Sequence, residues 1–476
     1  MGLLAFANHL VAKTRLACGE AVCDYLVPWG AWMSGTGDPI QTVGVVGLGK
    51  LGAPLAAAIA VQGIPVIAAD LDAKRVEKVN RGIAPVAETQ LEEYLARARG
   101  KLRATTDVVE VAAKGSIVFV IVPTPSEPHG GFSLQHVLPA CDAIGRGLKN
   151  RRDFPVVVIT STVMPGSTGG PIRECLEAAS GSKSGADFGL CYSPELIALG
   201  SVIHDFLNPD FVLVGESDVR SGDLLERFYG RVCQNAPYIA RMNHANAELS
   251  KLAVNTFVTT KIAFANMLAQ ICEGIPGANV DVVTEAIGHD SRIGSKYLKG
   301  AVGYGGPCFP RDNLAMGKVA REAGTVAILA EATDRSNRNE VQRLVSKVKH
   351  YYRPGMRVGI LGLSYKPNTD VIEESQGIIL AQTLLEENMD LVVFDPMSMA
   401  AAQVVLGDRP TYAGSTQDCL EQSDLVVIMT PWKEFSGADR LGGRASVLID
   451  GWRIASPALQ ESVATYVPLG VSPSRS

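Results

Sequence analysis

Apolar runs punctuated by glycine organise the chain from Gln41 onward. Thr42-Val43-Gly44-Val45-Val46 has the pattern of a short buried strand, and Ala53 to Val61 that of an apolar helix. Between them stands Gly47-Leu48-Gly49-Lys50-Leu51-Gly52, and a second strand, Ile64 to Ala69, ends on Asp70. Further strands are predicted at Ser116–Val122 and Pro155–Thr160. From Ala245 to Glu273 apolar residues recur at three- and four-residue spacing, which predicts one long helix. After about residue 330 the strand–helix rhythm returns. Arg357–Leu361 runs into Gly362-Leu363-Ser364, Asp390–Phe394 ends at Asp395, and Asp424–Thr430 and Ser446–Asp450 follow.

The expected fold is α/β: two Rossmann-like doubly wound parallel-sheet domains joined by a long central helix or helical domain. Its parts are an N-terminal extension (1–40), a dinucleotide-binding domain (41–235), a central helical domain (236–332), a second Rossmann-like domain (333–467) and a loose tail (468–476). The first forty residues carry an apolar stretch, Met1 to Ala12, followed by Lys13 and Arg15, the wrong order for a secretory signal. They read as an appended helix or surface extension.

Composition narrows the function. At 476 residues the chain has room for two or three domains, and its net charge of −5 gives a nucleic-acid role no support. Nine scattered cysteines without metal-type spacing point to a reduced, cytoplasmic protein and to no metal site. No run of 18 or more apolar residues predicts a membrane span.

A lone GxGxxG is weak, but here it stands between a strand and a helix and is followed by a second strand ending in an acid. Gly47 makes the tight turn, Gly49 admits a pyrophosphate, and Gly52 permits close helix packing. Lys50 and Leu51 lie in the same turn, where helix N–H groups meet phosphate. Asp70 would accept from the ribose hydroxyls and repel a 2′-phosphate, which favours NAD. A second signal is Gly303-Tyr304-Gly305-Gly306-Pro307-Cys308-Phe309-Pro310-Arg311-Asp312. The bland reading is a glycine-rich surface loop with an incidental thiol; the sharper one is a reactive cysteine with Asp312 a helical turn away.

These blocks, with Val122-Pro123-Thr124-Pro125, Ser161-Thr162-Val163-Met164-Pro165-Gly166, Ser193-Pro194-Glu195, Glu248 to Asn255, Asp290 to Gly294 and Tyr365 to Asp370, resemble the UDP-glucose/GDP-mannose dehydrogenase family in order and spacing, from about Thr42 to Trp452. The resemblance implies NAD-dependent four-electron oxidation of the C6 alcohol of a nucleotide-linked hexose to a uronate. UDP- or dTDP-glucose is favoured as the substrate, and Cys308 would act through a thiohemiacetal and a thioester. It implies that Lys251 and Asn255, on one helix face, donate to the oxyanion, and that Glu195 is the general acid/base. Thr162 and Asp312 would hold the hydrolytic water. Arg75, Pro123, Thr124, Ser161 and Thr162 would join the cofactor site. Tyr297, Gly303 and Tyr365 would line the sugar-nucleotide site with Glu195, Lys251, Asn255 and Cys308, and Arg292 and Lys366 would meet its diphosphate. Family members pair through the central helix, so a homodimer or dimer of dimers is implied.

Duller roles compete at each position: a solvated charge for Lys251, a helix-face polar group for Asn255, a helix-start acid for Glu195. The chain also departs from the family. Leu199 stands where a second glutamate is usual, Glu373 where an arginine contacting the cofactor is common, and Arg311 where lysine is usual. Three rivals remain at this point: a β-hydroxyacid dehydrogenase needing no thiol, an epimerase that recycles NAD, and a non-catalytic nucleotide-sugar-binding protein on the same fold.

Overall fold

A computed structural model describes residues 38–437 and 446–472, so the extension read in residues 1–40 lies almost wholly outside the described residues. Two sheets organise the rest. The first has eight strands: β1 (Val43–Val46), β2 (Val66–Ala69), β3 (Leu102–Thr105), β4 (Ile117–Val120), β5 (Val156–Ile159), β6 (Gly189–Tyr192), β7 (Phe211–Glu216) and β8 (Tyr238–Met242). Their order is β3-β2-β1-β4-β5-β6-β7-β8. The second has six: β9 (Arg357–Leu361), β10 (Asp390–Phe394), β11 (Thr411–Tyr412), β12 (Leu425–Ile428), β13 (Val447–Asp450) and β14 (Thr465–Pro468), in the order β11-β10-β9-β12-β13-β14. Both share the doubly wound order, with the reversal beside β1 and β9, and ligands in such sheets bind at the carboxyl ends there.

The strands β1, β4, β5 and β6 are buried at every position, as parallel strands covered on both faces must be. One departure from the parallel expectation occurs where β6 meets β7, an antiparallel pair with Cys191 opposite Glu216. The pair β7 and β8 is again parallel. Strand β8 shows no buried position and carries Arg241, so its apolar signal is too weak to read from the sequence.

Helices that position the site are, in chain order, α1 (Gly52–Val61), α2 (His244–Gly274), α3 (Phe309–Glu322), α4 (Ile328–Tyr351) and α5 (Gln376–Glu386). The 31-residue α2 starts where the Asn243 side chain accepts from the Asn246 N–H, an N-cap. It is the one helix among the described residues long and apolar enough to cross a membrane by length and composition. It nevertheless buries Glu248, Lys251, Asn255 and Asn266 within the fold, packed against α3 and α4.

The tail was expected to be loose from residue 468, and residues 468–472 are not. The Gly470 N–H donates to Glu273 at 2.9 Å, its carbonyl accepts from Val280 at 2.8 Å, and Arg453 Nη1 holds the Leu469 carbonyl at 2.7 Å. Polar composition alone hid these long-range backbone partners.

Candidate active site

The glycine turn at the end of β1 is shaped by two steric demands and one opening. A Cβ on Gly52 would lie 1.8 Å from the Gly47 carbonyl oxygen, and Gly47 itself has φ +105°. A Cβ on Gly49 would meet nothing within 4 Å. Space is therefore left above Gly49 at the positive end of α1, although within its first turn the Ala53 N–H already donates to the Gly49 carbonyl at 3.2 Å and Pro54 carries no N–H. Asp70 anchors the turn: one carboxylate oxygen accepts from the Leu48 N–H at 2.7 Å and the other from Asp72 at 2.8 Å. Arg75 reaches it at 3.5 Å. Lys50 extends instead to Asp370 of the second-sheet unit, at 2.7 Å. An open cradle, a helix N-terminus and an acid at the next strand end fit a dinucleotide.

Four segments converge at Cys308. The thiol stands at the N-terminus of α3, where the Asp312 N–H donates to the Cys308 carbonyl at 2.9 Å and Pro310 fits the first turn. Cys308 is solvent-exposed yet lies in a dense surround that pushes its thiol above the ordinary value. The Lys251 ammonium and Arg311 oppose that shift, and the Asp312 and Glu373 carboxylates add to it. The helix N-terminus favours the thiolate as well.

Lys251 and Asn255 lie one turn apart on the buried face of α2. Asn255 Nδ2 donates to Asp312 Oδ2 at 2.6 Å, and Lys251 Nζ donates to the Glu195 carbonyl at 2.8 Å. Burial raises the Asp312 carboxyl, with Lys251 and Arg311 working against it. Burial also pushes the Glu195 carboxyl to about 8, Lys251 again opposing. The Oε1 of Glu195 is buried without a hydrogen-bond partner, while Asp312 Oδ1 and Arg311 Nε face each other as an ion pair at 3.6 Å, too long for a hydrogen bond. A buried carboxylate oxygen left without a partner beside the thiol is what a site awaiting a polar ligand presents.

The glycines before Cys308 turn out to serve packing. A Cβ on Gly305 would lie 2.2 Å from the Glu374 carbonyl, one on Gly306 2.6 Å from the Tyr365 ring, and one on Gly303 2.6 Å from both Asn337 Oδ1 and Gln376 Oε1. They let the loop lie flush against the segment 365–376. Glu373 contributes its backbone, its carbonyl accepting from the Gly306 N–H at 3.0 Å. Leu199 is half-buried against the core of the first sheet.

The remaining expected residues fall in three groups. Thr124 is buried and accepts from Arg311 at 2.9 Å through its carbonyl, which links the end of β4 to α3. Ser161 spends its hydroxyl on the backbone, donating to the Val122 carbonyl at 2.7 Å. Pro123 and Thr162 sit beside them, at the ends of β4 and β5. Tyr365 lies against the Cys308 loop, and Lys366 is half-buried, its ammonium depressed by burial while Asp205 and Glu88 oppose. Tyr297 holds a left-handed backbone at φ 60° and sets its ring edge-on to Phe309 at 6.4 Å. Arg292 alone stands apart: its side chain is 86% exposed and its guanidinium pairs with Asp290 at 2.6 Å.

Several positioning residues escaped the sequence reading. Glu248 accepts from the Gly166 and Thr168 N–H groups at 2.6 and 2.8 Å and so fixes the loop after β5. Asn337 grips both the N–H and the carbonyl of Tyr304, at 2.8 and 2.9 Å. Glu88 accepts from Gly200 at 2.8 Å and Val202 at 3.2 Å, pinning the loop that carries Glu195. A polar residue on an otherwise apolar helix face was the available signal for Glu248 and Asn337; Glu88, in a loop, gave none.

Comparison with known proteins places this geometry. Models of three consecutive UDP-glucose/GDP-mannose dehydrogenase family domains match: the NAD binding domain at residues 41–233, the central domain at 245–339 and the UDP binding domain at 359–457. The UDP-glucose 6-dehydrogenase of Haloferax volcanii is 34% identical over 418 residues, 87% of this chain and 96% of its own length. A GDP-mannose 6-dehydrogenase of Pseudomonas syringae is 32% identical over 357 residues, 74% of this chain and 80% of its own. The solved UDP-glucose dehydrogenase of Pyrobaculum islandicum superposes with a TM-score of 0.84 at 33% identity, covering 94% of this chain and 100% of that one.

Proposed function

The chain belongs to the UDP-glucose/GDP-mannose dehydrogenase family, and from that premise we propose its substrate and route. It is an NAD-dependent nucleotide-sugar 6-dehydrogenase. The finer reading is four-electron oxidation of UDP-glucose or dTDP-glucose to the uronate through Cys308. The observation that carries it is the convergence of Cys308, Lys251 and the Asn255–Asp312 pair, with the Oε1 of Glu195 left unsatisfied.

The Gly47–Asp70 turn would hold NAD, and two NAD molecules in succession would each accept one hydride, one for each oxidation. Glu195 takes the proton of the C6 hydroxyl in the first. The Cys308 thiolate adds to the aldehyde carbon, giving a thiohemiacetal that keeps the aldehyde from escaping. Lys251 and Asn255 donate to the oxyanion developing at C6. Loss of the second hydride from that adduct leaves a thioester. Water held by Thr162 and Asp312 then adds to its carbonyl, releasing the carboxylate and returning Cys308 to the thiol. Lys366 meets the nucleotide diphosphate; Arg292 joins it only by leaving Asp290. A thiol nucleophile on an exposed loop needs a reducing compartment, which fits the cytoplasm. Two copies would pair through α2, whose outward face shows Phe257, Phe264 and Ile271 at seven-residue steps, 67%, 45% and 48% exposed.

The test is NADH formed per nucleotide sugar consumed, across UDP-glucose, dTDP-glucose, UDP-N-acetylglucosamine and GDP-mannose. Two NADH per sugar, with Cys308→Ser losing the second, are expected, and the sugar that turns over names the base. No NADH from any of them, with NAD still bound, would favour the epimerase or non-catalytic reading and sink this one.

A further inference from the structure

Lys50 is the cation of the glycine turn, one residue beyond the open space at Gly49, yet its ammonium is engaged 320 residues away, on Asp370 Oδ1 at 2.7 Å. The two side chains are 40% and 43% exposed, so water and ions reach the pair and it is free to exchange. Among the described residues Lys50 is the only charged partner of Asp370. Asp370 belongs to the loop 363–375, which carries Tyr365 and Lys366 and braces the Cys308 loop through the Glu373 carbonyl. The same loop touches the first-sheet unit again where Asn368 closes on Gly200: a Cβ there would lie 2.5 Å from the Asn368 carbonyl. One ion pair thus joins the floor of the dinucleotide site to the arm that supports the thiol.

A diphosphate settling in the open space at Gly49, at the positive end of α1, brings two negative charges beside Lys50 and, behind it, beside the Asp370 carboxylate. The ammonium cannot serve both acids fully. We propose that Asp370 is a regulatory competitor for Lys50, so that binding of the NAD diphosphate draws the ammonium off Asp370 and releases the arm 363–375. Cofactor binding and arm release are therefore coupled, and the coupling is reciprocal. Asp370 lowers NAD affinity in exchange for holding the arm when the cofactor is absent. Lys50 acts on the diphosphate directly; Asp370 acts through Lys50.

This rests on reading the glycine turn as the NAD site, and the experiment separates the two claims. NAD binding is titrated by calorimetry, without sugar, for the wild type, Asp370→Asn, Lys50→Met and the double variant, each checked for an unchanged melting temperature. Asp370→Asn is expected to tighten NAD about two- to fivefold, the range of a half-exposed ion pair. Lys50→Met should weaken it roughly tenfold or more, since it removes a charge-assisted contact and leaves Asp370 facing the diphosphate. The double variant should recover part of that loss. Hydrogen exchange gives a second readout: NAD should raise exchange in 363–375 of the wild type and leave it unchanged in Asp370→Asn, where it is already high. An Asp370→Asn variant that binds NAD more weakly, or an arm that NAD protects, overturns the competition. A wild type that binds no NAD overturns the reading of the turn itself.

Discussion

The two sheets begin with the same device and put it to different uses. In the first, β1 runs into Gly47 and α1 starts at Gly52, with the acid Asp70 just after β2. In the second, β9 runs into Gly362, α5 begins at Gln376 with Gly377 its second residue, and Asp395 follows β10. The sterics match: a Cβ on Gly52 would lie 1.8 Å from the Gly47 carbonyl, and one on Gly377 2.2 Å from that of Gly362. What differs is the filling. Gly49 faces open space and the Asp70 side chain is 11% exposed, whereas Asp395 is 1% exposed and fully engaged. Its oxygens accept from the Leu363, Ser364, Met397 and Ser398 N–H groups, the Ser364 hydroxyl and the Trp432 indole. The loop between Gly362 and Gly377 is also long, and it leaves its own sheet to brace Cys308 and reach Lys50. A shared architecture thus gives one turn that receives a ligand and one that builds the neighbouring site, and the side chains around the turn decide which.

The largest effect separates the two acids. Asp395→Asn replaces one of the two accepting oxygens by an NH2 that meets N–H donors, and should cost about 3 kcal/mol of stability. Asp70→Asn should cost less than about 1 kcal/mol and instead relax discrimination against NADP. Denaturant melts and paired NAD and NADP titrations check both. Equal destabilisation would erase the difference between an internal and a ligand-facing acid.

A smaller effect tests the opening. Gly49→Ala has free space for its methyl in the protein, so its melting temperature should hold while NAD affinity falls about tenfold or more. Gly377→Ala should do the reverse, costing roughly 1–3 kcal/mol through overpacking with little direct change at the NAD turn. Unchanged NAD affinity in Gly49→Ala would remove the case for a close backbone approach there.

Much of this contrast was legible beforehand, and the illegible part has a common cause. Strand, turn, helix and acid lie within thirty residues, so local pattern exposes the first turn and Asp70. The second sheet shows the same rhythm, yet nothing in Gly362-Leu363-Ser364 says that its acid is already satisfied, because the Trp432 partner lies 37 residues from Asp395. The glycines of 303–306 make room for Tyr365, Glu374 and Gln376, contacts between distant segments that the loop's own composition does not reveal. The antiparallel β7 and the pinning of Gly470 by Glu273 were hidden for the same reason. Periodicity reports which face is buried; it does not report against what.

Between the two sheets lies the loop of Glu195, and its carboxyl gives a pH test of intermediate size. Burial moves it from 4.5 to about 8, so the fold holds the proton more tightly than the unfolded chain does. Its favourable linkage is fully present below 4.5 and is lost as pH rises through about 8. Glu195→Gln should therefore flatten the fall in melting temperature over that window. As the base for the C6 hydroxyl, Glu195 should give kcat/KM a limb that rises toward about 8 and vanishes in the glutamine variant. A rising limb that survives the substitution would assign it to another group.

The smallest effect concerns Arg75, which meets Asp70 at 3.5 Å with 42% of its side chain exposed. If Asp70 faces a ligand while Asp395 serves the fold, the companion of Asp70 should be weakly held. A solvated pair of this length is worth at most about 1 kcal/mol, and screening by salt reduces that further. Arg75→Ala should then change stability by less than about 0.5 kcal/mol and the NAD dissociation constant by less than about threefold, with both differences shrinking at high ionic strength. The Leu48 N–H, donating to Asp70 at 2.7 Å, keeps the carboxylate in place without the arginine. A loss of several kcal/mol would mean that Asp70, like Asp395, is held chiefly for the fold, and the two turns would differ less than their exposures indicate.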